Sequence, residues 1–380
     1  MKTLLVTFDY PPMVGGIAHM LESLWQRAGH RESLILAPSV PGASEVDAQH
    51  PARTFRFPVV GGSGLIATAV NTISCIAWFV VLAVRHRPEL IIAGQIRRAG
   101  PLVHLWSMVT RRPFALWVYG GETSPGFTSS RWTTRYLQRV LRAARYVFTI
   151  SPYTTHLMME FGLTEERVVE TVLGVREDLR PMPKDPEYVA RLHLEGRLVF
   201  LTVARLIERK GVDIMLEALA GIDNRLPPWH YLVVSDGPCR QALEELSRGL
   251  SLQEKVTFTG YVEDHELPIY YNLCDIFAMP NREVLSNTGS SLSVEGFGMV
   301  FVDAAACGKP VIAGRSGGAI HAVDEGVNGF LVEPGDVESL QHALLRLTDA
   351  GLRGEMGRAG VVFASRFRWD KAAQTLRPYL

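Results

Sequence analysis

Short apolar runs alternate along the chain with stretches of helical spacing. Residues 1–8 (MKTLLVTF) predict a buried strand, 9–18 a loop rich in proline and glycine, and 19–29 a helix ending at a glycine. Strand-like runs recur at 32–39 (ESLILAPS), 89–94 (ELIIAG), 113–120 (PFALWVYG), 146–151 (YVFTIS) and 167–175 (RVVETVLGV), with helical segments between them. Residues 174–197 lack periodicity, hold three prolines and read as a linker. A second series then begins, with strands expected at 197–205, 231–238, 255–262, 276–281, 310–318 and 329–336 and helices at 211–220 and 265–275. Such alternation predicts parallel sheets covered on both faces, and two such series predict two Rossmann-like domains facing across a cleft.

Length agrees, because 380 residues exceed what one core usually supports. The expected division is an N-terminal domain over 1–178, a linker over 179–196, a C-terminal domain over 197–363, and a final helical stretch, 364–380, crossing back to the first domain. Lys plus Arg and Asp plus Glu balance at 39 each, which leaves no basic footprint for nucleic acid. The four cysteines (Cys75, Cys239, Cys274 and Cys307) show no metal-finger spacing and read as buried thiols of a reducing, cytosolic compartment. The apolar start is too short for a signal peptide.

Two stretches bear on membranes. Residues 65–84 run for twenty positions without a charge. A turn and a strand follow directly, so a helix sandwiched against a parallel sheet explains the order better than a span. Between 131 and 145, Arg131, Arg135, Arg139, Arg142 and Arg145 recur at spacings of three and four. That stripe reads either as a solvated face or as a contact for anionic lipid or an anionic acceptor.

The chemistry concentrates in residues 293–308, SVEGFGMVFVDAAACG. Glu295 precedes a Gly-Phe-Gly turn and a small-residue helix, and Asp303 lies eight residues on. Two helical turns take ~7.2 residues, so both carboxylates fall on roughly one side. The first-turn amides between them form an anion site. Carboxylates flanking bare amides suit a ligand with hydroxyls on both sides of a phosphate, such as a nucleotide sugar. Arg205 and Lys210 lie five apart across a strand-to-helix turn, VARLIERKG, and two cations there suit a diphosphate. The chain has no Asp-x-Asp, the usual carboxylate pair for a metal on a nucleotide sugar. No cofactor or metal is therefore expected.

The run from Glu295 through the PVIAGRSGG strand and loop resembles the signature of the retaining glycosyltransferases of family 4, the group 1 glycosyltransferases. It departs from their pattern in one place, with Asp303 in the position of a second Glu. The resemblance implies the GT-B fold, acceptor binding by the N-terminal domain, and hexose transfer with retained configuration. It implies that Glu295 binds donor sugar hydroxyls, that the amides of Phe297, Gly298, Met299 and Val300 contact sugar and phosphate, and that Asp303 accepts from the ribose. Arg205 and Lys210 would hold the leaving diphosphate. The base would lie near Ser235, Asp236 and Gly237 and beside Tyr261 and Val262, and Gly15-Gly16 would pack on the diphosphate. In the VYGGE stretch Tyr119 stands where the family commonly has His, and Glu122 is the candidate for the acceptor.

Residues 281–299 look most like the mannosyltransferases that use GDP-mannose, including those acting on phosphatidylinositol. The expected function is thus a hexosyltransferase moving mannose to a lipid-linked or glycan acceptor in envelope or exopolysaccharide synthesis. It would work in the cytoplasm or at the inner face of the plasma membrane, with peripheral contact through 65–84 and 131–145. The alternatives are a UDP-sugar-dependent transferase of the same fold and an inactive nucleotide-sugar scaffold. A sugar epimerase of similar architecture would bring acid/base groups that VYGGE does not supply.

Overall fold

The structure, a computed structural model, describes all residues except 1, 14, 29–31, 50–51, 63, 121–130 and 286–291. It divides into two compact units, Met1–Gly174 with Arg368–Leu380, and Val175–Phe367.

The first unit runs β1 (Thr3–Val6), α1 (Gly16–Ala28), β2 (Ser33–Ser39), α2 (Ala43–Gln49), β3 (Arg53–Pro58), α3 (Leu65–His86), β4 (Leu90–Ala93), α4 (Gly100–Thr110), β5 (Phe114–Trp117), α5 (Arg131–Ala143), β6 (Tyr146–Thr149), α6 (Pro152–Glu160) and β7 (Val168–Glu170). Among the described residues its sheet has seven strands, all parallel, in the order β3-β2-β1-β4-β5-β6-β7. The central strands TLLV, LIIA and FALW are wholly buried, as continuous apolar runs covered on both faces must be. Against one face, Phe79 of α3, Val103 of α4 and Leu141 of α5 share a core with Leu4, Ile91 and Leu116. Ser151 starts α6 with a capping box closed by Thr154.

The second unit runs α7 (Pro186–Arg191), β8 (Leu198–Val203), α8 (Val212–Gly221), β9 (Trp229–Val234), α9 (Arg240–Gly249), β10 (Val256–Gly260), α10 (Leu267–Leu273), β11 (Ile276–Met279), the hairpin β12 (Val284–Leu285) and β13 (Leu292–Ser293), α11 (Met299–Ala306), β14 (Val311–Gly314), β15 (Gly329–Val332), α12 (Val337–Arg346) and α13 (Ala350–Ala364). Its parallel sheet has the order β10-β9-β8-β11-β14-β15. Strand direction of growth reverses between β8 and β11, and in open α/β sheets ligands bind outside the carboxyl ends at such a point.

Two expectations need adjusting. The stretch 179–196 is not a bare linker: it folds onto the second unit. Asp185 caps α7 through the Glu187 and Tyr188 amides, with Pro186 at the first helical position. Met182 donates to Asn272 at 2.7 Å, and Lys184 pairs with Asp275 at 2.9 Å. The boundaries fall after Gly174 and Phe367 rather than after 178 and 363. The final helix α14 (Trp369–Leu376) belongs to the first unit. There Trp369 leaves no room for a side chain at Gly174 and meets the His19 ring edge-on at 5.8 Å.

Candidate functional site

In the second unit the chemistry gathers at the carboxyl ends of β8 and β11. The chain leaves β8, makes a short 3-10 turn at Glu208–Lys210 and enters α8 through Gly211. Gly211 has φ +70°, and a Cβ there would lie 2.1 Å from the Pro280 carbonyl, so this turn is pressed onto the end of β11. Arg282 fastens the same junction. Its amide donates to the Arg209 carbonyl at 2.9 Å, and its guanidinium grips both Asp213 oxygens at 2.9 and 2.6 Å.

This frame aims two cations at one carboxylate. Lys210 Nζ donates to Glu295 Oε2 at 2.6 Å, and Arg209 donates to the same oxygen. Arg209 Nε also reaches Ser293 Oγ at 3.1 Å, on the hairpin stem just before Glu295. Burial pushes the Glu295 carboxyl up, but Lys210 and Arg209 together outweigh it and hold it at about 2. Burial presses the Lys210 ammonium downward, with Glu295 opposing it. The backbone of Glu295 is gripped from behind by the loop after β14. Gly318 donates to the Glu295 carbonyl at 2.7 Å, and a Cβ on Gly318 would sit 1.9 Å from the Gly296 carbonyl.

From Glu295 the chain turns through Gly298, at φ +88°, into α11, whose first turn has no side-chain cap. The helix thus begins four residues after Glu295 with amides that no side chain satisfies. Asp303 lies buried on α11. Burial pushes its carboxyl up to about 7, against the Arg176 charge and amide, while Asp178 adds to the rise. Arg176 is itself held by Asp178 at 3.1 and 2.8 Å and by the Asp264 carbonyl at 2.7 Å.

The loops after β8, β9 and β10 are stitched side by side. Leu206 donates to Asp236 at 2.9 Å, and Ser235, at φ +102°, donates to Gly260 at 2.9 Å. Gly237 donates to Asp236 Oδ1 at 2.6 Å and packs so close to Leu206 that a Cβ would lie 2.4 Å from its carbonyl. Tyr261 is exposed and Val262 buried in the next loop.

The structure thus joins Lys210 to Glu295 and sets Phe297, Gly298, Met299, Val300 and Asp303 directly behind. It does not bring Arg205 to them: that side chain is exposed and has no partner among the described residues. Arg209 stands in the cluster instead. The sequence reading did not single out Arg209, although its place next to Lys210 was a usable signal. Gly318 and Arg282 were not read as site residues, because their work is to support backbone that only folding brings near.

Four predicted residues belong to the first unit. Gly15 faces open space and Gly16 begins α1. Tyr119 donates its hydroxyl proton to the Gly94 carbonyl at 2.7 Å and stacks on Trp117, with ring centroids 6.3 Å apart. Glu122 lies outside the described residues.

Residues 185–361 match the profile of the family described as "Glycosyl transferases group 1". The chain is 32% identical over 375 residues to a GDP-mannose-dependent alpha-(1-6)-phosphatidylinositol monomannoside mannosyltransferase of Mycolicibacterium smegmatis, covering 94% of this chain and 92% of that one. Its namesake in Mycobacterium tuberculosis H37Rv is 31% identical, over 100% of this chain and 98% of the relative. Among solved structures, Anabaena HepE in complex with UDP and glucose aligns with TM-score 0.80 and 24% identity over 100% of this chain and 99% of its own. The lipopolysaccharide glycosyltransferase WaaG aligns with TM-score 0.72 and 17% identity, over 99% of each chain. A cation-clamped glutamate at a glycine-entered helix, full-length likeness to named transferases and a shared GT-B fold agree: the chain belongs to the group 1 glycosyltransferases and is a hexosyltransferase.

Proposed function

We propose that the protein transfers mannose from GDP-mannose, with retention of anomeric configuration, to a lipid-linked or glycan acceptor on the cytoplasmic side of the membrane. The observation that carries this reading is Glu295 gripped by Lys210 and Arg209 beside the open first turn of α11. On donor binding, sugar hydroxyls donate to Glu295, and the two cations turn toward the diphosphate. Departure of the nucleotide builds negative charge on that diphosphate, and the two cations with the helix amides stabilise it. This is the role a divalent metal fills elsewhere, so turnover is expected to survive chelators. Asp303 accepts from the ribose once ionised. Attack from the face the nucleotide leaves, with the departing phosphate as base, retains the configuration. The choice of mannose and GDP rests on the relatives' names.

Thermal shift with GDP-, UDP- and ADP-sugars tests the donor, since ligand bound only to the native state raises stability by mass action. A shift with GDP-mannose that disappears in Glu295→Ala and Lys210→Ala supports the assignment. A shift with UDP-sugars alone moves the donor class, and no shift with any donor leaves a scaffold. NMR of the product linkage tests retention: an inverted centre refutes the route.

A further inference from the structure

Asp303 is a carboxylate buried inside the second unit, so the charges facing it decide whether it can serve a ligand. α13 meets α11 through Gly357 and Gly360, which press on Gly308 and Ala305 and bring no charge. α10 offers Tyr271 and the end of α11 offers Cys307, both pushed by burial toward their neutral forms. Lys309, just beyond, bonds to the Asn272 carbonyl at 3.1 Å. Among the described residues the cation acting on Asp303 is Arg176, whose charge and amide both favour the ionised carboxylate. Asp178 opposes it.

Arg176 is held firmly where it stands, two residues past the boundary at Gly174. The Val175 amide donates to the Phe367 carbonyl at 3.1 Å, and the Arg176 carbonyl accepts from Leu179 at 3.3 Å. The guanidinium, 17% exposed, donates twice to Asp178, at 3.1 and 2.8 Å, and once to the Asp264 carbonyl at 2.7 Å. Its neighbours Glu177 and Arg180 are exposed. Asp264 lies in the same loop as Tyr261 and Val262, where the base was expected. One arginine thus ties the loop after β10 to the segment whose amide meets Asp303. A bidentate carboxylate fixes a guanidinium in direction as well as distance, so Arg176 acts on Asp303 from a set place while Asp178 takes part of its charge.

We propose that Arg176 is a positioning residue for the donor. It holds Asp303 ready to accept from the ribose and ties that carboxylate to the loop beside the base, with Asp178 as its restraint. This rests on the reading of Asp303 as the ribose partner. Deleting the arginine and deleting its restraint must then act on Asp303 in opposite directions. An ion pair that merely braced the fold would respond to both in the same way.

Two measurements test it. Urea melts without ligand, between about pH 4 and pH 9, compare each protein with the same protein carrying Asp303→Asn; the difference stops changing above the pH where native Asp303 ionises. Arg176→Gln should move that plateau up by about one pH unit, and Asp178→Asn should move it down by about as much. Arg176→Lys, which keeps the charge, should return it most of the way. Titration with GDP-mannose, or with whichever nucleotide sugar gives the thermal shift, should show the gain of affinity with pH displaced in the same directions. At about pH 7 Arg176→Gln should bind about fivefold more weakly. Plateaus that stay at the wild-type pH, or that move the same way in Arg176→Gln and Asp178→Asn, overturn the role of Arg176 and leave the ribose reading standing. Wild-type affinity indifferent to both pH and Asp303→Asn, with plateaus that do move, overturns the ribose reading and the donor role of Arg176 with it.

Discussion

Asp303→Asn is the sharpest probe of the second unit. The residue is 8% exposed, and burial raises the pKa of its carboxyl from 3.8 to about 7. The groups around it do not offset this: Arg176 attracts, but Asp178 repels, and the buried Tyr271 and Cys307 offer no charge. Each pKa unit is ~1.36 kcal/mol, so holding Asp303 ionised inside the fold costs about 4 kcal/mol. The sign follows from linkage. Below pH 3.8 the group is protonated in both states and costs nothing. As pH rises toward about 7 the unfolded chain releases its proton while the native one keeps it, and stability falls; above about 7 the full cost applies. Asn has no such proton to lose. Urea melts of wild type and Asp303→Asn should therefore diverge with pH, the difference moving by about 4 kcal/mol in the variant's favour between about pH 4 and pH 8. Any fixed cost of burying the amide shifts both ends equally. Parallel stability curves would refute the reasoning. Donor binding supplies a second readout: a carboxylate accepts from ribose more strongly once ionised, so wild-type affinity should rise with pH up to about 7 and then level, while the variant's stays flat.

Lys210→Ala removes one of the two cations on Glu295, and kcat should fall by about 10²–10³, as for loss of one preorganised donor; a steady-state assay with GDP-mannose reads it. Gly318→Ala drives a methyl to 1.9 Å from the Gly296 carbonyl. It should cost about 3 kcal/mol in a urea melt and abolish the donor shift by displacing Glu295. Tyr119→Phe deletes the bond to Gly94 and should cost about 1 kcal/mol of stability. A drop in turnover beyond that loss would place the hydroxyl at the substrate.

Much of this was legible in the chain. Runs such as LIIA and LVFLTV are buried on both sides of their sheets, as the inner strands of a parallel α/β layer are. The Glu295–Asp303 spacing was readable because it spans one turn and one short helix. β3 was missed because Arg53 and Arg56 interrupt its apolar pattern. Arg56 earns its place only in the fold, bonded to Asp47 and to the Pro11 and Pro38 carbonyls. α7 hid behind prolines that read as linker, although Pro186 is where a helix tolerates one. That Arg209 is the arginine bonded to Glu295 was illegible for another reason. It depends on which way a 3-10 turn points its side chains, and no periodicity encodes that. Nor does an all-round apolar helix reveal in sequence which side its neighbours leave bare.

The hairpin stem before Glu295 has a consequence for how this enzyme can vary. Val284 pairs with Ser293 and Leu285 with Leu292, and Arg209 bolts Ser293 to the cation turn. The chain is thus closed on itself before it reaches Glu295. Residues added or removed between 285 and 292 need not move Glu295, since lengthening a closed loop adds little entropy, about 0.6 kcal/mol per doubling.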